Sequence, residues 1–120
     1  MVLSDRAQDH VIRIRNRGEM PDADRFGLAG FPGDGPFVKL WLKTKEGEII
    51  QATYETNGCP SSMACSSALC ELSVGRNMET MLLLEANELV TYLGGLPEGK
   101  GHYADLAIEA MRDAIRGDGQ

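Results

Sequence analysis

The sequence predicts an α+β domain, a small three-stranded antiparallel sheet with helices packed on one face. Three observations predict it. Strand-like alternation is confined to the first half of the chain. After Cys59 every pattern is helical. The change happens at one short turn, Asn57-Gly58-Cys59-Pro60. Strands first and helices afterwards is the order of an α+β fold. The 120 residues read as a single domain, 1–120, large enough for a hydrophobic core without disulfide or metal staples.

The elements follow in order. Residues 4–13 read as a short amphipathic helix capped by Ser4 or Asp5, with Ala7, Val11 and Ile14 on one stripe. Residues 16–35 are rich in Gly, Pro and Asp and form loop, although Arg25–Gly30 can pair as a glycine-rich edge strand. Phe37–Lys43 is the clearest strand. It sets Val38, Leu40 and Leu42 on one face, and Phe37, Trp41 and the lysines on the other. A turn over Lys43–Gly47 returns the chain as a second strand over Glu48–Thr56. A helix then runs from Pro60 to about Val74. Asn77 can cap a short helix through Leu84, and Asn87 can begin another that stops at Gly94-Gly95. The last helix spans His102 to about Ile115, with Ala104, Ala107, Ile108, Met111 and Ala114 on its apolar face.

Composition excludes several classes of function. A net charge of −6 with no basic patch argues against nucleic-acid or anionic-membrane partners. No apolar run approaches the roughly 18 residues of a membrane span. The N-terminal residues lack the basic and apolar regions of a signal peptide. Three cysteines, at 59, 65 and 70, are odd in number and bunched, which suits a reducing cytoplasm better than a disulfide framework.

Cys59 carries the chemistry. Pro60 sits where a helix tolerates proline best, so Cys59 falls at the N-cap beside unpaired backbone N–H groups and the positive end of the helix dipole. That setting favours the thiolate, which is both nucleophile and metal ligand. Cys65 and Cys70 lie further along the same helix and read as small buried residues. His102, at a helix start, is by itself as much a solvent-facing residue as a ligand, and His10 reads as structural or exposed. Asp34 lies in a Gly-Asp-Gly run where turn formation alone accounts for it. No nucleophile–base pair with a third orienting group can be assembled, so catalysis is not expected.

An ordered set of marks spans nearly the whole chain. They are Asp9-His10, Arg15-Asn16-x-Gly18, Gly30-Phe31-Pro32-Gly33-Asp34-Gly35, Lys39-Leu40, Gly58-Cys59, Leu96-Pro97-Glu98-Gly99-Lys100 and Gly101-His102. In that order the chain resembles the IscU/NifU N-terminal family of iron–sulfur cluster assembly scaffolds. The resemblance implies a site on three loops: a Cys-Gly-Asp triplet before the first strong strand, a Gly-Cys at the strand-to-helix turn, and a His-Cys opening the last helix. Here the triplet falls on Asp34-Gly35-Pro36, the second cysteine is Cys59, and the His-Cys pair is His102-Tyr103. One of three cysteines remains.

The implied ligand set is therefore Cys59 and His102, with Asp34 and Tyr103 standing where cysteines are expected. A [2Fe–2S] cluster needs four protein ligands, usually thiolates. One thiolate with imidazole, carboxylate and phenolate suits a single iron better, and zinc also accepts mixed sets. The resemblance implies a cysteine desulfurase as partner. It also implies an Hsp70-type chaperone docking at Leu96, Pro97 and Lys100. Glu98 and Gly99 depart from the family's segment there, so a plain connecting loop is the equal alternative. Three readings result: a scaffold holding iron or a sulfur intermediate at Cys59 with His102, a SufE-like acceptor of persulfide sulfur on Cys59 alone, and an interaction protein that keeps only the fold.

Overall fold

The computed structural model describes residues 3–117. Eight elements follow one another: α1 (Asp5–Ile12), β1 (Arg25–Gly30), β2 (Phe37–Lys45), β3 (Glu48–Thr56), α2 (Pro60–Ser73), α3 (Met78–Leu82), α4 (Ala86–Tyr92) and α5 (His102–Arg116). The strands form one antiparallel sheet in the order β1-β2-β3, and all helices pack on one of its faces. The expected fold class is the observed one.

Alternation in β2 drives the arrangement. Val38, Leu40 and Leu42 are fully buried under the helices, opposite Thr56, Tyr54 and Ala52 of β3. Phe37, Lys39 and Trp41 face the other way, where Trp41 meets Phe26 of β1 at 5.4 Å between rings. The turn is tighter than expected. β2 continues to Lys45, and only Glu46 and Gly47, both with positive φ (53° and 83°), reverse the chain, as a two-residue hairpin favours. A register shift between Lys43 and Thr44 absorbs the extra length, and Asp24 takes up the Thr44 N–H at 2.7 Å.

Neither sheet edge is left bare. Beyond β3, the Gly18 N–H donates to Tyr54 O and the Tyr54 N–H to Asn16 O, each at 2.8 Å. Beyond β1, the Leu28 N–H donates to the Asp113 carboxylate at 2.9 Å. α5 lies directly on β1 because Gly27 has no side chain. A β-carbon there would fall 2.0 Å from the Ala110 carbonyl oxygen.

α2 is the central helix, packed by β3, α1, α4 and α5. Its small Ala, Ser and Cys side chains let all of these approach, and ten of its residues are buried. Cys65 and Cys70 are fully buried, as expected.

The ends of the helices differ from expectation in three places, the simplest being α3, which stops at Leu82 rather than Leu84. α1 stops at Ile12, so Ile14 lies outside it and is 59% exposed; the buried positions are Ala7 and His10. Polar partners, not an apolar stripe, decide that face, since His10 Nδ1 lies 2.8 Å from Ser67 Oγ. α4 begins after Glu85 rather than at Asn87, because Glu85 and Glu88 form a reciprocal capping box. The caps at Ser4 and Asn77 are as expected.

Candidate functional site

The strand-to-helix turn after β3 is built by hydrogen bonds that the sequence places at short range. Thr56 Oγ1 donates to Phe37 O at 2.6 Å, accepts from the Gly58 N–H at 3.1 Å, and lies 2.9 Å from Ser62 Oγ. Gly58 is required for space, not for a left-handed backbone: a β-carbon there would fall 2.4 Å from Ser62 Cβ. Asn57 ties the turn to the neighbouring loop, donating to Gly35 O and accepting from the Phe37 N–H, both at 3.1 Å.

Cys59 is the N-cap of α2, with Pro60 at the first helical position. Its thiol is half-buried. Burial pushes its pKa up, but the backbone N–H of Ser62, the Tyr103 hydroxyl, the Ser61 N–H and the Lys100 charge together outweigh burial, and the pKa falls below the usual thiol value. This is the effect expected of a helix N-terminus on a thiol. The other two thiols go the opposite way, as burial pushes Cys65 up to about 12 and Cys70 further.

The start of α5 supplies the company of Cys59. The Tyr103 hydroxyl faces the sulfur, and that interaction, more than burial, raises the phenol's own pKa. The His102 ring lies against the Tyr103 ring at 4.0 Å between centroids and is itself exposed. Lys100 Nζ sits 5.8 Å from the Tyr103 ring centre. Beside the thiol runs an open groove of about 490 Å³, lined by Leu3, Cys59, Pro60, Pro97, Glu98 and Lys100.

The family model described as "NifU-like N terminal domain" matches residues 2–117. The chain belongs to this family. It is 36% identical over 112 residues to the iron–sulfur cluster assembly scaffold protein IscU 1 of Archaeoglobus fulgidus, covering 93% of this chain and 73% of that protein. It is 32% identical over 115 residues to the IscU scaffold protein of Aquifex aeolicus, covering 94% and 73% respectively. The fold matches the N-terminal NifU-like protein of Brucella abortus with a TM-score of 0.69 at 19% identity, over 95% of this chain and 92% of that one.

Within this NifU-like domain the Tyr103 hydroxyl faces the Cys59 sulfur, and the Tyr103 ring meets the His102 ring. Asp34 is exposed on the turn after Phe31, whose carbonyl accepts the Asp34 N–H at 2.9 Å. Asn57 brings the backbone of that loop against the Cys59 turn. Among the described residues, however, no three Cys, His, Asp or Glu side chains come close enough to hold a metal ion. Pro97 and Lys100, expected as partner contacts, line the groove beside Cys59, while Leu96 packs against the core.

Sequence reasoning missed two participants. Asn57 bridges two loops, and its Asn-Gly setting signals a turn but not the partner. Leu3, 56 positions from Cys59, forms part of the same groove, and nothing local marks it. Among the described residues, no helix is long and apolar enough to cross a membrane.

Proposed function

We propose that this chain serves iron–sulfur cluster assembly as a NifU-type scaffold, taking up a component of the cluster at Cys59. The observation that carries this reading is Cys59 itself, an accessible thiol at the open end of α2 whose pKa is lowered against the pull of burial. The relatives named above are scaffold proteins of this process, which supports the same role here. With iron as the cargo, Cys59 and His102 are the ligands assigned first, and Asp34 and Tyr103 are the oxygen donors that would complete the set; zinc would accept the same groups.

One observation favours a second reading. The cysteine, histidine and carboxylate donors do not gather into a metal-sized group among the described residues, and a [2Fe–2S] cargo asks for four ligands, usually thiolates. Cys59 alone suffices to accept sulfur from a cysteine desulfurase. In that step the Cys59 thiolate attacks the outer sulfur of the donor's persulfide. A new S–S bond forms on Cys59, the donor's S–S bond breaks, and the donor cysteine leaves as thiolate, with no external oxidant or reductant. The N–H groups of Ser61 and Ser62 and the Tyr103 hydroxyl face the charge that the attacking sulfur carries. Pro97 and Lys100 then become contacts for the donor.

Two measurements separate the readings. Incubation with a cysteine desulfurase and cysteine, followed by mass spectrometry, is expected to add one sulfur atom at Cys59. Anaerobic addition of ferrous iron and sulfide, followed by elemental analysis and absorption spectra, tests for metal or cluster cargo. Bound iron that disappears in Cys59→Ser supports the scaffold reading. A sulfur adduct without bound iron supports the acceptor reading. Neither result leaves the chain as an interaction protein.

A further inference from the structure

We propose that α1 is a strap along the Cys59 groove, latched at its far end by His10, Arg15 and Glu71 and presenting Leu3 at the end beside the thiol. α1 lies along α2 in the same direction. Leu3 lines the groove with Cys59 and Pro60, while His10 meets Ser67 two turns further along.

The latch is a closed ring of hydrogen bonds. Arginine can only donate, so Arg15 Nη2 donates to His10 Nε2 at 3.3 Å. His10 Nδ1 then carries the proton and donates to Ser67 Oγ at 2.8 Å. Ser67 Oγ donates in turn to the Arg15 carbonyl at 3.2 Å. Arg15 also pairs with Asp9 at 3.1 Å and Glu71 at 3.3 Å, and the Tyr92 hydroxyl donates to Glu71 at 2.7 Å. The ring spends the Asp9-His10 and Arg15-Asn16 marks on holding the segment after α1 against α2.

The rest of α1 depends on its partners. An eight-residue helix does not persist alone in water. Ala7 is fully buried in the core, Leu3 and Val11 pack against it, and Ile12 is 76% exposed. At the near end, the Ser4 hydroxyl donates to Leu93 O, and Arg6 Nη1 donates to Tyr92 O at 2.9 Å. Opening the far-end ring therefore frees the strap to lift, with Ala7 as the one core side chain it exposes. Lifting removes Leu3 from the groove and widens the approach to Cys59.

The inference rests on Cys59 as the working thiol. Its test reads access to the sulfur, whether or not a persulfide forms. The probe is a PEG-maleimide applied at one fixed neutral pH, with mass spectrometry reporting each cysteine. Buried Cys65 and Cys70 serve as internal monitors of global unfolding. Leu3→Ala and Arg15→Ala are both expected to speed labelling of Cys59 about tenfold, with Cys65 and Cys70 unlabelled. An unchanged Cys59 rate in both variants overturns the strap. If Arg15→Ala exposes all three cysteines it has unfolded, and Leu3→Ala alone decides: a faster Cys59 supports the strap and an unchanged rate overturns it.

Discussion

The two ends of α2 carry the polar chemistry of this protein in opposite forms. At the N-terminal end, Cys59 sits half-buried among donors, and its groove is open to solvent. At the C-terminal half, Ser67 and Glu71 meet His10, Arg15 and Tyr92 in a network whose members satisfy one another. The same contrast divides the cysteines. Three thiols share one helix or its cap, yet the cap thiol is lowered and the two inside are raised. Residue type alone does not make a thiol reactive here. Position relative to the open first turn does.

The contrast breaks most completely at Cys59. Cys59→Ser is expected to abolish the sulfur adduct formed with a desulfurase and cysteine, whereas Cys65→Ala leaves it intact, as read by intact-protein mass. At the other end the effect is on stability. Ser67→Ala leaves the buried His10 Nδ1 proton without its acceptor, and urea unfolding should show a loss of about 1–3 kcal/mol.

Tyr103→Phe removes the hydroxyl that faces the Cys59 sulfur while keeping the ring. The alkylation–pH profile of Cys59 is expected to move to higher pH, slowing the reaction at neutral pH by about threefold. A profile identical to wild type would remove Tyr103 from the thiol's environment.

A pH titration of stability probes the closed end. Burial, then the Arg15 charge, lowers the His10 pKa below its usual 6.5, against opposing contributions from Glu71 and Asp9. The unfolded chain therefore binds more protons than the folded one as pH falls through 6.5. The stability due to neutral His10 is fully present above that value and is drawn down below it. The urea midpoint should fall between about pH 7.5 and pH 5.5, and that slope should flatten in His10→Gln. The smallest effect belongs to Arg13, whose side chain is 80% exposed and pairs with Asp9 at 3.4 Å. Arg13→Ala should cost about 0.3 kcal/mol by the same measurement.

Much of the architecture was legible in the chain, and the reason is local. The alternation of Val38, Leu40 and Leu42 announces a sheet with one covered face, and Pro60 after Cys59 announces a helix start. What escaped depends on partners far apart in sequence. His10 is buried because Ser67 and Arg15 receive it, so its face of α1 could not be found from an apolar stripe. Glu85 caps α4 through its exchange with Glu88, which outcompetes the simpler cap at Asn87. At the site, Cys59 was evident from its turn. The approach of the Tyr103 hydroxyl to the sulfur and the place of Leu3 in the groove are tertiary facts with no local mark.

The edges of the sheet have a consequence for behaviour in concentrated solution. A three-stranded sheet with bare margins offers rows of unpaired N–H and C=O groups on which another chain can build. Here residues 16–18 occupy part of one margin, and Asp113 of α5 takes an amide of the other. Strand-to-strand polymerisation thus finds both starting points obstructed.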